Sequence, residues 1–220
     1  MTPNISYSQC GEDIIVDYVL TTFGILAPVY IDIGAHHPVE NNNTYHFYLK
    51  GSMGILIEPN PDLYAGIKAV RPRDISLNVG IGSNEITMEY FQMSSNTLNT
   101  FSKENAVKYL SQGEQIVSTQ LIPVFKINSI LDKFFINGSK PNFISIDTEG
   151  LELDILRLFD FEKYRPEVFC IETINYSKKF EEQSKNIEVI EYMNDKGYFL
   201  YSDTFINSIF VDHGKLMNRG

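Results

Sequence analysis

Apolar residues in this chain fall into short dense runs, separated by longer stretches where they recur every three or four positions. The runs at residues 29–33, 53–57, 75–79, 142–146 and 167–171 are rich in Ile, Val, Leu and Phe. They lack the polar alternation of a half-exposed strand, so they predict strands buried on both faces, as in a parallel sheet. The intervening stretches predict helices. Residues 11–23 place Ile14, Ile15, Tyr18 and Val19 at helical spacing, with Glu12 and Asp13 in the first turn. Residues 41–44 open a second helix that Gly51 stops. Pro59-Asn60-Pro61 opens a third, with Leu63, Ile67 and Val70 on one face and Arg71-Pro72 at its end. Helices are also predicted at 128–135, capped by Asn128, at 151–159, and at 187–196, stopped by Gly197. Residues 198–201 and 206–211 form a terminal antiparallel pair joined through 202–204. The predicted class is α/β: a mostly parallel seven-stranded sheet, helices on both faces, and a C-terminal antiparallel hairpin.

The rhythm breaks between residues 85 and 127. Residues 86–91 alternate as in an exposed strand, and 94–118 are rich in Ser, Asn, Thr and Gln, with one helix at 103–110. Residues 119–125 then read as another strand. A polar insertion of this kind in an α/β domain is expected to be a binding loop or lid, here at about 90–125. No repeat or composition shift divides the chain, so residues 1–220 are read as a single domain.

Composition narrows the classes. The 220 residues are 43% hydrophobic and 21% charged, which is ordinary for a globular domain. The net charge is −10 and no basic stripe occurs, which argues against nucleic acid or an anionic membrane as partner. Cys10 and Cys170 are far apart, so neither a disulfide framework nor a zinc site is expected. Residues 1–9 lack a signal-peptide layout, and the longest uncharged apolar stretch, 18–31, is too short to span a bilayer. The expectation is a cytoplasmic protein, with no membrane insertion and room for a homodimer.

Four of the five buried runs carry an acid at their C-terminal end: Asp32, Glu58, Asp147 with Glu149, and Glu172. In an open parallel sheet those ends share one rim, where ligands bind. Glu58 follows the Asp32-Ile-Gly34-Ala35-His36-His37-Pro38 turn by roughly the spacing at which nucleotide-binding α/β folds grip ribose hydroxyls. The turn lacks the three glycines that let a pyrophosphate approach, so an adenosyl ligand without phosphate fits better. Gly34 is expected where backbone approaches the ligand or takes positive φ. Asp32 would accept from turn amides or a ligand amino group. His36 and His37 are candidate bases for a hydroxyl that must lose its proton, as is Asp147. Asp147 and Glu149 could also orient an acceptor or, with Glu172, hold a hard divalent cation. Glu149 and Glu152 stand at a helix start, where acids are favoured without any function. No metal is expected.

Together, Ser8-Gln9-Cys-Gly11-Glu12-Asp13, Asp32-Ile-Gly34-Ala35, Glu58-Pro59-Asn60-Pro61, Asn78-Val79 and Ile146-Asp147-Thr-Glu149-Gly150-Leu-Glu152 resemble the FkbM-type S-adenosylmethionine-dependent methyltransferases. The matching pieces span roughly residues 6–175. The resemblance implies a Rossmann-like class I methyltransferase fold, S-adenosylmethionine as methyl donor and S-adenosylhomocysteine as product. It further implies O-methylation of a sugar, nucleotide-linked sugar, polysaccharide or natural-product hydroxyl. By analogy Asp32 and Gly34 would line the cofactor turn, Glu58 would take the ribose, and Asp147 would lie beside the transferred methyl. Gln9, Ala35, Pro59, Asn60 and Asn78 are further candidates at the cofactor, and Asn43, Tyr45, Glu149 and Glu172 are candidates at a small-molecule or glycan acceptor. The insertion's Tyr90, Phe91, Phe101 and Tyr109 would cover that acceptor. His36-His37-Pro38 departs from the usual pattern, in which many members carry Asn and a later glycine. Two other classes stay open from the residues alone. One is a nicotinamide-dependent oxidoreductase, and the other is an adenosyl-binding scaffold without chemistry.

Overall fold

The computed structural model describes residues 4–175, 181 and 183–217. Its centre is β1 (Tyr30–Ile33), every residue of which is buried. β1 pairs in parallel with β2 (Gly54–Ile57) on one side and β7 (Phe143–Ile146) on the other. β3 (Ile75–Leu77) extends the sheet beyond β2, and β8 (Val168–Glu172) extends it beyond β7. β12 (Asn207–Asp212) then runs antiparallel between β8 and β11 (Tyr198–Asp203). The order is β11-β12-β8-β7-β1-β2-β3, seven strands with one reversed. Strand order changes direction at β1, which is where open α/β sheets form a ligand crevice.

Alternating side chains on each strand feed two cores. Ile31, Ile33, Ile55, Ile57, Ile144 and Ile146 face α5 (Ile127–Phe134), α6 (Glu152–Leu158) and α7 (Ile187–Asp195). Tyr30, Leu56, Phe143 and Cys170 face α1 (Glu12–Thr22), α2 (Tyr45–Leu49) and α3 (Pro61–Val70). This is the expected three-layer, Rossmann-like arrangement with its C-terminal hairpin. The short pair β9 (Ile174–Asn175) and β10 (Ser184–Lys185) and the final helix α8 (His213–Met217) were not anticipated.

Several local readings need correction. The third strand stops at Leu77. The chain then leaves the main sheet to build a second one, β4 (Gly80–Ile81), β6 (Ile116–Phe125) and β5 (Ile86–Met93), in the order β4-β6-β5. α4 (Lys103–Ser111) lies within this insertion, capped by the Ser102 hydroxyl, which accepts from Asn105 N. Asn128 does not cap α5, because Lys126 occupies that position. Its side chain instead donates to Leu158 O and accepts from Asp160 N, tying α5 to the end of α6. Val70 is 44% exposed rather than part of the α3 core face. Glu12 and Asp13 are fully buried instead of decorating a helix start. Glu12 accepts from Cys10 N, Thr204 Oγ1 and Asn207 Nδ2, and Asp13 accepts from Ser6 Oγ, Tyr7 N and Ser8 Oγ. Burial pushes the Glu12 carboxyl up, but those hydrogen bonds outweigh it and leave it below the usual range. Asp13 thus folds the N-terminal arm onto the start of α1, and Glu12 ties that start to the β11–β12 turn.

Candidate active site

A cavity of about 950 Å³ opens at the C-terminal ends of β1, β2, β7 and β8, roofed by the insertion. Sheet order arranges its lining along the rim. Val79 and Ile81 follow β3, Ile57, Glu58 and Pro59 end β2, Gly34 and His36 end β1, Asp147 and Glu149 follow β7, and Glu172 ends β8.

The glycine turn is built for backbone contact. Gly34 has φ +81°, and a Cβ there would lie 1.7 Å from Asp147 O. Its glycine is therefore required by the crossing of the β1 and β7 loops rather than by a ligand. Gly34 N and Ala35 N both donate to Ile57 O, and His36 N donates to Glu58 Oε2 at 2.9 Å. With three successive turn amides satisfied inside the protein, the turn offers no nest for a pyrophosphate.

Glu58 is buried, and its second oxygen accepts from Asn60 N at 2.7 Å. Burial raises its carboxyl to about 7 despite the two amide bonds, with Asp32 and Asp147 adding repulsion. Asn60 caps α3 through Asp62 N and Leu63 N. Asn78 donates to the carbonyls of Glu58 and Pro59, both at 2.9 Å. Asn60 and Asn78 brace the cavity wall from behind instead of lining it.

Across the rim, Asp147 and Glu172 form a hydrogen-bonded carboxyl pair, and burial raises both. One proton held between two carboxyls is the natural state of such a pair near neutrality. Glu149 carries a left-handed backbone (φ +56°) at the cavity rim. Glu152 holds this loop in shape, its carboxylate accepting from Thr148 N, Thr148 Oγ1 and Gly150 N. His36, also left-handed at the rim (φ +47°), has its imidazole pKa lowered by burial and then by the neighbouring His37.

Other candidates lie elsewhere. His37 does not line the cavity. Its Nδ1 accepts from Val39 N and Glu40 N, which makes it a turn cap rather than a base. Asn43 is buried with its amide on Ser145 Oγ, and Tyr45 packs edge-on against Tyr7 and stacks on Tyr48; neither faces the cavity. Asp32 and Ala35 also point away, and Asp32 accepts from Asn42 Nδ2 and Thr44 Oγ1. Of the four insertion aromatics, Tyr90, Phe101 and Tyr109 line the cavity, whereas Phe91 packs with Met93 and Ala106 in a separate cluster. The roof amides Asn84, Asn99 and Asn105 were missed, since isolated asparagines in a polar stretch carry no pattern. Among the described residues, no group of three acids, His or Cys is arranged to hold a metal ion.

Residues 32–200 match the family described as "Methyltransferase FkbM domain". The chain belongs to that family. No curated protein matches it. Distant fold neighbours of this FkbM domain include the methyltransferase domain of bacterial CtHen1 (TM-score 0.42, 11% identity, 92% of this chain and 98% of that one). Another is the 1,6-didemethyltoxoflavin-N1-methyltransferase of Burkholderia thailandensis, whose structure holds S-adenosylhomocysteine (TM-score 0.44, 8% identity, 92% and 77%). A third is a putative O-methyltransferase from Klebsiella pneumoniae (TM-score 0.42, 7% identity, 96% and 80%). By family, the protein is an S-adenosylmethionine-dependent methyltransferase rather than a nicotinamide enzyme. Among its described residues no helix is long and apolar enough to cross a membrane.

Proposed function

We propose that this FkbM domain transfers a methyl group to a hydroxyl of a sugar or other glycan. The rim order fits the cofactor. Apolar Ile57, Leu63, Val79 and Ile81 would take the adenine, Glu58 the ribose hydroxyls, and Gly34 with Gln9 the methionine end. Bound there, S-adenosylmethionine supplies a methyl group already activated by its sulfonium. The surrounding acids Glu58, Asp147, Glu149 and Glu172 suit a cation.

The observation that carries the reading is the buried carboxyl pair Asp147 and Glu172, facing the cavity under a roof of asparagines and aromatics. Amide and aromatic side chains suit the hydrogen-bonding edges and apolar faces of a sugar. The acceptor oxygen would form its new bond to the methyl carbon as the carbon–sulfur bond breaks. Its proton would pass to Asp147, or to His36, whose lowered pKa leaves it unprotonated at neutral pH. Positioning of the two reactants supplies most of the acceleration, and the base adds a factor of ~10²–10⁴.

The test incubates protein and S-adenosylmethionine with glycan and sugar-nucleotide fractions, followed by mass spectrometry. The expected product is one methylene heavier, and Asp147→Asn slows its formation. Tight S-adenosylhomocysteine binding without any methylated product would instead support a non-catalytic scaffold. Micromolar binding of NAD without homocysteine-analogue binding would overturn the cofactor assignment.

A further inference from the structure

Asn42 lies outside the cavity, 2% exposed, in the loop before α2. Its backbone N donates to Tyr7 O at 2.9 Å, so it is fastened to the arm that carries Gln9 to the rim. Its Nδ2 reaches Asp32 Oδ2, Ala35 O and His37 O, each at 3.1 Å. Those two carbonyls flank His36, whose N–H donates to Glu58. Its Oδ1 accepts from Tyr45 N (2.8 Å), Thr44 N (3.0 Å) and Arg71 (3.0 Å).

Arg71 decides which way this amide faces. It is fully buried, with its remaining nitrogens on Asp74 Oδ2 (2.8 Å) and Tyr30 OH (2.9 Å). A guanidinium can only donate, so it holds the amide oxygen toward itself and turns both amide hydrogens onto the loop.

We propose that Asn42, oriented by Arg71, is a positioning residue for the cofactor. It grips the turn on both sides of His36, and so fixes the left-handed His36 backbone and the Glu58 carboxylate that this backbone holds. The inference rests on the reading of the cavity as the cofactor site.

Asn42→Asp separates this role from plain stability. The new carboxylate still accepts from Arg71, Thr44 and Tyr45, but it donates nothing to Ala35 or His37 and repels Asp32. S-adenosylhomocysteine is the calorimetric probe, alongside native-state hydrogen exchange of the His36 amide. The expected result is a folded variant with a Kd raised roughly tenfold or more and faster His36 exchange. Val189→Ala on α7, far from the turn, should lower Tm without moving that Kd. If Asn42→Asp does not fold, Arg71→Lys reads the same coupling, because an ammonium cannot replace the fork; it too should raise the Kd. Wild-type binding with unchanged affinity in the folded variant overturns the inference alone. Failure of the wild type to bind overturns the cofactor reading and this inference with it.

Discussion

Glu58→Gln probes the ribose contact through groups the structure already fixes. The carboxylate accepts from His36 N at 2.9 Å and Asn60 N at 2.7 Å. Glutamine offers one oxygen and an amide that only donates, so one of those backbone N–H groups would face a donor. Leaving a buried amide unsatisfied costs ~1–3 kcal/mol of stability. Ribose hydroxyls bonded to a charged acceptor contribute ~1.5–3 kcal/mol each, so loss of the charge and one acceptor costs ~2–4 kcal/mol of affinity. That is a Kd for S-adenosylhomocysteine raised roughly 30- to 1,000-fold. The raised carboxyl adds a pH signature. In the proposed complex the ribose bonds to ionised Glu58, whose pKa is pushed up to about 7. Wild-type affinity should then fall roughly tenfold per unit as pH drops below that value. Glu58→Gln should lack this slope. Calorimetry from pH 5.5 to 8.5 (about three units spanning that pKa) measures both. A variant Kd within about threefold of wild type, with the same pH slope, would refute the reasoning.

Further outcomes follow from the same geometry. Gly34→Ala should fail to fold or lose more than ~3 kcal/mol in denaturant titration, because its Cβ meets Asp147 O in a left-handed backbone. His37→Ala should lower stability by ~1–2 kcal/mol through its lost turn cap, leaving methyl transfer near wild type. His36→Ala should instead lower turnover, as read by product formation. Glu58, Asp147, Glu149 and Glu172 all have folded-state pKa values raised above those of unfolded carboxyls, mainly by burial. The folded protein therefore binds more protons than the unfolded chain from about pH 4.5 upwards, so its stability without cofactor should fall as pH rises through about 7. Thermal scans at pH 5.5 and 8 should show the higher Tm at the lower pH.

The sheet was legible because β1, β2, β7 and β8 are continuous apolar runs, and such runs mean burial on both faces. The rim acids were legible because each sits where a run ends. What escaped was side-chain direction. A period of two puts Asp32 on the opposite face from Ile31 and Ile33, toward Arg71 and Asn42, although it adjoins the cofactor turn. Arg71 read as a helix stop, since a charged residue before proline carries no sign of full burial. Asn43 and Tyr45 were expected at the acceptor, but Asn43 turns its amide onto Ser145 of β7 and α2 carries Tyr45 into the layer behind. The insertion's second sheet was invisible at β4, a two-residue strand that pairs only with the distant β6.

The central claim is that one crevice at the strand ends receives an adenosyl ligand. The most direct measurement is a crystal structure with S-adenosylhomocysteine. The account predicts both ribose hydroxyls on Glu58, the adenine against Val79 and Ile81, and the sulfur facing Asp147. A nucleoside bound elsewhere on the protein, or one whose ribose leaves Glu58 untouched, would contradict it.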